Sequence, residues 1–405
     1  MANKKIILLP LLLFYIVIVW LFYPCSFQGD EERYIMYANN LSQGHYSPLN
    51  EIYLWNGPGY PLILTPFVLL KLPWMTARLL NPLLLFMAVL YFYKALCVYM
   101  KNRHALYASY LFALYPPFFI YLPLLYTEIL CIFLVCGFIY HFFMMNHDGH
   151  NSILNILLAS VYLGYLGLTK IFFGYVIVAG ILIFLSLYIL KRKSTVRNTL
   201  TVYVLALLIC VPYLIYSYSL TKRIYYWGNS GGASLYWMSS PHEEEFGDWR
   251  NFKEVFKNPQ LERHREFFTK LENLSSIERD DTLKRQAINN ITRNPGKYFM
   301  NWGANIGRML FNYPYSYTPQ KMDTYFYLIP NIFLIVLAVL CIYPYIKKRK
   351  MIPEQLHFIG IFFLLSFIGS SLVSAYPRQF LILVPFVIFG MSFILTKVVN
   401  IKLQN

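Results

Sequence analysis

Long apolar runs separated by short polar ones dominate the chain, and their lengths predict transmembrane helices. A first span is expected over residues 6–23. Residues 61–72 are mostly apolar but too short to cross, which predicts a re-entrant or interfacial helix. A second span over 76–100 ends at Lys101 and Arg103. The third and fourth form a hairpin that turns near 121–128, and a fifth runs over 153–168 to Thr169 and Lys170. The sixth ends at Lys191, Arg192 and Lys193, and the seventh leaves the membrane near Tyr218. The pattern then changes: 221–323 is polar, mixed in charge, and holds most of the acidic residues. Within it, 259–274 reads as a helix with Asn258 as N-cap and Pro259 at its first position. A second helix is expected over 282–292, and an amphipathic one on the membrane surface over 298–311. Three further spans follow, over 325–346, over 356–373, and from the turn at Ser374–Arg378 back to Lys397.

Charge orients this pattern. The basic clusters at Lys4–Lys5, Lys101–Arg103, Lys191–Arg197 and Lys347–Lys350 all fall on one side of the expected spans. By the positive-inside rule that side is cytoplasmic, so both ends are inside and the polar segment is outside. The fold class expected is an all-α polytopic membrane protein of about ten helices with an external, mainly helical domain. Its parts are 1–220 (with a first external loop over 25–75), 221–324 and 325–405.

Composition agrees, with 58% hydrophobic residues, 13% charged and a mean hydropathy of +0.46. The net charge of +16 is a topology signal rather than a nucleic-acid footprint, because it sits in those border clusters. Five of the six cysteines lie inside apolar runs, where cysteine acts as a small hydrophobe. No small-residue cleavage site follows the first run, which predicts a retained signal anchor. His147, Asp148 and His150 share one connection, where a solvated loop is the plainer reading than a metal site. His242-Glu243-Glu244-Glu245 lacks the second histidine of a zinc helix. Phosphate-binding and dinucleotide glycine motifs are absent.

The stretch Gly29-Asp30-Glu31-Glu32-Arg33-Tyr34 sets three carboxylates beside a membrane-length apolar run. Asp30 suits a helix N-cap, and Glu31 and Glu32 suit the positive end of a helix dipole. Further ionisable groups collect at the same outer border: Glu128 after Tyr126-Thr127, Lys170 after Thr169, and Arg378 after Pro377. Each has a plain structural use as well, as a helix start, a snorkelling lysine and a border anchor.

Taken in order, these residues resemble the GT-C glycosyltransferases, in particular the branch of protein O-mannosyltransferases and the lipid A aminoarabinose transferase. Asp30 to Tyr34, with Ala38, Leu41 and Gly44, is similar to that branch's first-loop acidic signature. Gly57-Pro58-Gly59-Tyr60-Pro61-Leu62 is similar to the proline-rich stretch closing the loop, although the lysine that often precedes it is missing. Tyr126-Thr127-Glu128, Gly167-Leu168-Thr169-Lys170 with Gly174, and Pro377-Arg378 with Pro385 resemble later elements. The chain is short for the family, so no full extra carboxy-terminal domain is expected.

The resemblance implies transfer of a sugar from a polyprenyl-phosphate donor to a glycan, lipid or protein acceptor, with inversion, on the outer face of a bacterial inner membrane. It implies catalytic roles for Asp30, Glu31 and Glu128, Asp30 being the base. Lys170, Arg378 and Arg78 would bind the donor phosphate, and Tyr34, His45 and Tyr60 would line the substrate loop. No cofactor is required by this reading, although the carboxylates would equally suit a divalent cation. A transporter or flippase for a lipid-linked solute is the alternative from another class. A glycan polymerase or ligase using a diphosphate-linked donor is a third.

Overall fold

The computed structural model describes residues 7–147, 152–320 and 322–399, and every regular element among them is helical. Asp148 and His150 lie outside the described residues, as do Lys4 and Lys5. Seven of the described helices are long and apolar enough to cross a membrane. They are Trp74–Tyr99, Thr127–Met144, Ser152–Thr169, Phe172–Lys191, Ser194–Thr221, Thr324–Lys347 and Glu354–Ser371. At 1.5 Å per residue the shortest of them is about 27 Å long, close to the thickness of a hydrocarbon core. The chain is an integral membrane protein.

The other three expected spans are built of shorter pieces. Leu9–Phe22 has 14 residues. The third expected span is the helix Asn102–Ala113 followed by the short turn Pro117–Tyr121. Pro116 and Pro117 supply no amide hydrogens there and clash with the preceding turn, so one continuous helix cannot form. The last span is Val384–Phe393, which continues as a π-helical turn. Gly59–Leu69, with 11 residues, is the non-crossing helix expected at 61–72.

Thr127–Met144 forms the centre of the bundle. It is 89% buried, against 22% for the most apolar stretch of Thr324–Lys347. Its apolar residues run all the way round, the pattern of a helix surrounded by protein. Trp74–Tyr99 and Ser152–Thr169 pack on either side of it.

The polar segment folds into helices around an apolar core of Tyr236, Trp237, Val255, Leu261, Phe268, Leu271 and Leu283. Asn258 does cap, accepting from the Gln260 amide, but Pro259 opens a 3₁₀ turn, and the α-helix is the shorter Glu262–Leu271. The next helix starts six residues earlier than the sequence suggested, at Ser276. The reason is a capping box: the Ser275 hydroxyl accepts from the Glu278 amide while the Glu278 carboxylate accepts from the Ser275 amide.

Helix Pro295–Phe311 departs from an interfacial helix with its polar side to water. Asn301, Asn305 and Arg308 form one stripe, and all three are buried, while Phe299 and Met300 are exposed. Arg308 donates to the carbonyls of Ala375, Phe246, Pro314 and Gly247. Asn305 donates to the carbonyls of Ser371 and Val373 and accepts from the Ala375 amide. The stripe clamps the turn that carries Arg378.

Candidate active site

The first loop reverses at Gly29, whose φ of +56° lies in the left-handed region open to glycine. A Cβ there would run into the Tyr126 hydroxyl. The turn delivers Asp30 to the head of helix Glu31–Ser42. Asp30 takes the N-cap position that its residue type suggested, but its backbone is already helical and its side chain caps nothing. Its carboxylate accepts instead from Arg33, one turn on, and from Arg378 Nη1 at 2.5 Å, while its own amide donates to Tyr126 Oη at 3.3 Å.

A second carboxylate stands on the other side of Arg378. Glu128, in the first turn of Thr127–Met144, is 1% exposed and accepts from Lys170 Nζ at 2.8 Å. Arg378 Nε lies 3.9 Å from the same Glu128 oxygen. Lys170 follows directly on helix Ser152–Thr169. The first loop closes against the end of that helix because Gly57 and Gly59 bring no side chain: a Cβ on Gly59 would lie 2.5 Å from Thr169 Oγ1. Asp30, Glu128, Lys170 and Arg378 therefore meet in one cluster from four separate segments.

Burial pushes the Asp30 carboxyl up, but Arg378 and then Arg33 outweigh it and hold the group below the usual carboxylate range. Burial, then Asp30 and Glu128, push the Tyr34 phenol well above its ordinary value, so it stays a neutral hydroxyl. Tyr34 and Tyr60 are both buried and pack edge to face, 5.3 Å between ring centres.

Three expected residues have other surroundings. Glu31 and Arg78 pair with each other at 2.9 Å, and both are buried. Glu31 also accepts from the Gln28 and Leu125 amides, and Arg78 donates to the Pro123 carbonyl. They brace the loop against the second outer turn. His45 lies beyond the far end of helix Glu31–Ser42, about 18 Å along its axis from Asp30 at 1.5 Å per residue, and is not brought to the carboxylates.

Other residues join the site that the sequence did not single out. Arg33 donates to Asn56 Oδ1 at 2.6 Å and lies 5.7 Å over the Trp55 ring. Its spacing of three from Asp30 on a helix was a usable signal. Arg378 is flanked by Tyr126 and Tyr376, at 5.8 and 6.0 Å from the ring centres. Nothing local in the sequence marks Asn56 or Tyr376. Among the described residues no three His, Cys, Asp or Glu side chains are grouped to hold a metal ion, and Asp30 and Glu128 are each paired with basic side chains.

No family model and no curated protein matches the sequence. Solved structures do match the fold. The archaeal oligosaccharyltransferase AglB from Archaeoglobus fulgidus, in complex with an inhibitory peptide and a dolichol-phosphate, is similar over 96% of this chain, with a TM-score of 0.51 and 13% identity. The Archaeoglobus fulgidus oligosaccharyltransferase tethered to an acceptor peptide containing the NVT sequon is similar over 96%, at a TM-score of 0.54 and 13% identity. The chain spans about half of those two structures, 50% and 49%. ArnT from Cupriavidus metallidurans bound to undecaprenyl phosphate covers 98% of this chain and is itself covered to 76%, with a TM-score of 0.45 and 13% identity. This chain thus shares the all-α membrane fold of the two oligosaccharyltransferase structures.

Proposed function

We propose that this protein is a membrane glycosyltransferase that moves a sugar from a polyprenyl-phosphate carrier to an acceptor hydroxyl on the outer face of the membrane. One observation carries the reading: Asp30 and Glu128 meet Arg378 and Lys170 at the bundle's border, with Arg378 between the two carboxylates. Carboxylates at a bilayer edge are costly to hold, and here they come with the two cations that a lipid phosphate needs. The solved neighbours bear on it through fold alone. One of them was captured with a dolichol-phosphate.

The chemistry follows from what each group can do. An anionic phosphate is a leaving group that needs its charge neutralised more than it needs a proton. Arg378 grips it with parallel N–H donors and Lys170 adds a point charge. The acceptor oxygen forms its bond to the anomeric carbon as the bond to phosphate oxygen breaks. The bonding pair leaves with the phosphate, and the acceptor proton passes to Asp30. A single displacement of this kind inverts the anomeric centre.

At rest Asp30 is a weak base, because Arg378 and Arg33 favour its charged form. A donor phosphate that draws Arg378 away removes the larger of these pulls and raises the basicity of Asp30 as the donor arrives. Glu128 stays paired with Lys170 and holds that cation in place. Glu31 and Arg78 position the loop from below, and Tyr34 and Tyr60 wall the site.

The test is single-turnover transfer from a synthetic polyprenyl-phosphate sugar, with donor binding measured alongside. Asp30→Asn should lower transfer by about 10²–10⁴-fold and bind donor at least as tightly as the parent. Arg378→Ala should weaken donor binding by about ten- to a hundredfold, the loss of a charge-assisted contact. Transfer by Asp30→Asn within a few-fold of the parent would remove Asp30 as the base.

A further inference from the structure

Beside the charged cluster lies a cavity of about 80 Å³ between the first loop and the external helices. A cavity of about 150 Å³ takes a benzene, so this one admits the leading edge of a sugar ring, with the rest of the ring in its open mouth. Its walls are aromatic: Tyr53 and Trp55 from the loop, and Trp237, Trp249, Phe252 and Phe268 from the external helices. Tyr53 and Trp55 stack at 6.0 Å, and Trp249 meets Trp55 edge-on at 6.4 Å.

Polar groups of both kinds interrupt this lining: Arg250, Arg279, Asp280, Ser276 and Asn229. Arg250 is 9% exposed, and its Nε has no hydrogen-bond partner among the described residues. A buried guanidinium N–H without a partner is costly, and a ligand hydroxyl would satisfy it.

The cavity adjoins the charged cluster along two routes. Arg33, which pairs with Asp30, lies over the Trp55 ring. Tyr376, flanked by Arg378, donates its hydroxyl to the Trp249 carbonyl at 3.0 Å. Two ties hold the external helices over the loop: Ser276 donates to Glu51, and Asn229 bonds the Leu54 amide and the Ile52 carbonyl.

We propose that this cavity seats a sugar ring of the acceptor, and hence that the acceptor is a glycan. The proposal rests on the glycosyltransferase reading above. The apolar faces of a pyranose suit flat indole and phenol rings, and its hydroxyls, each both donor and acceptor, suit a rim of guanidinium, carboxylate and amide. A peptide would be better served by an extended groove or an open strand edge. The lining here is a compact, partly open aromatic pocket, and the described residues contain no strand.

Binding without donor tests this independently of transfer. The full-length protein in detergent is titrated calorimetrically with a panel of disaccharides (cellobiose, maltose and N,N′-diacetylchitobiose), with a serine- and threonine-rich peptide as the comparison. At least one disaccharide should bind, and Trp249→Ala should weaken it by about tenfold, the loss of one desolvated aromatic contact. Trp249→Phe, which keeps a flat ring, should stay within about threefold of the parent on the same reasoning. Undecaprenyl phosphate binding should be unchanged in both variants, which also reports that they are folded. No response to any disaccharide, binding of the peptide instead, or an affinity indifferent to Trp249→Ala would overturn the proposal. Undecaprenyl phosphate failing to bind the parent would count against the transferase reading and leave the saccharide result to stand or fall alone.

Discussion

Asp30 is held by two arginines at once, and its titration follows from that. Its carboxyl lies below the ordinary value in the folded chain because Arg378 and Arg33 outweigh its burial. A carboxylate depressed on folding contributes stability above its unfolded value, near 3.9, and loses it as pH falls through the lowered folded value. Asp30→Asn should therefore lower the melting temperature most near neutral pH, with the gap to the parent closing below about pH 3.9. Thermal melts of both proteins at several pH values check it. A gap independent of pH would mean that Asp30 exchanges no net stabilisation with its arginines. Glu31 shows that a carboxylate in the same motif can do different work. It accepts from two amides and pairs with Arg78 out of solvent, so removing either partner would strand a buried charge.

Helix Pro295–Phe311 has a similar duality along its length. A helix with one apolar and one polar face usually turns the polar face to water, and here the polar stripe turns inward. The backbone it meets explains this. The turn from Leu372 to Arg378 is irregular, so its carbonyls lack helical partners and must be satisfied from outside. Arg308, with its planar fork of donors, is suited to several carbonyls at once. Arg308→Lys keeps the charge but loses the fork, leaving unpaired some of the carbonyls of Ala375, Phe246, Gly247 and Pro314. It should cost about 3 kcal/mol, a few hydrogen bonds at roughly 0.5–1.5 kcal/mol each. Denaturant unfolding measures the loss. Donor binding should weaken as well, because Arg378 is carried on the same turn. A stable variant with normal donor affinity would show that the turn holds its shape without Arg308.

Across the whole molecule, the placement of the cluster depends on which end of the bundle faces outward. The basic borders at Lys101, Lys191–Lys193 and Lys347–Arg349 mark the opposite end from Asp30 and Arg378. A topology reporter fused after Tyr225 should read outside, and one fused after Lys193 inside. The two sites flank helix Ser194–Thr221, whose 28 residues are ample for a crossing. Reporters on the same side would remove the outward-facing site and any supply of lipid-carried donor from that face.

The membrane class, the crossing helices and the membership of Asp30, Glu128, Lys170 and Arg378 in one border were legible in the sequence. Each depends on a local property: the length of an apolar run, the sign of a cluster, or a short motif beside a span. Pairing was not legible. Asp30 and Arg378 are 348 positions apart, and nothing along the chain says that they touch, or that Glu31 looks away to Arg78. Local propensity marked Asp30 as a cap, and it takes that position, but two arginines occupy both carboxylate oxygens, since a bond between two full charges outcompetes one to a nearby amide. The inward polar stripe of Pro295–Phe311 was visible as a pattern but not as a direction. Only the packed chain decides which face meets protein, since an unpaired backbone turn and open water both reward a polar side chain.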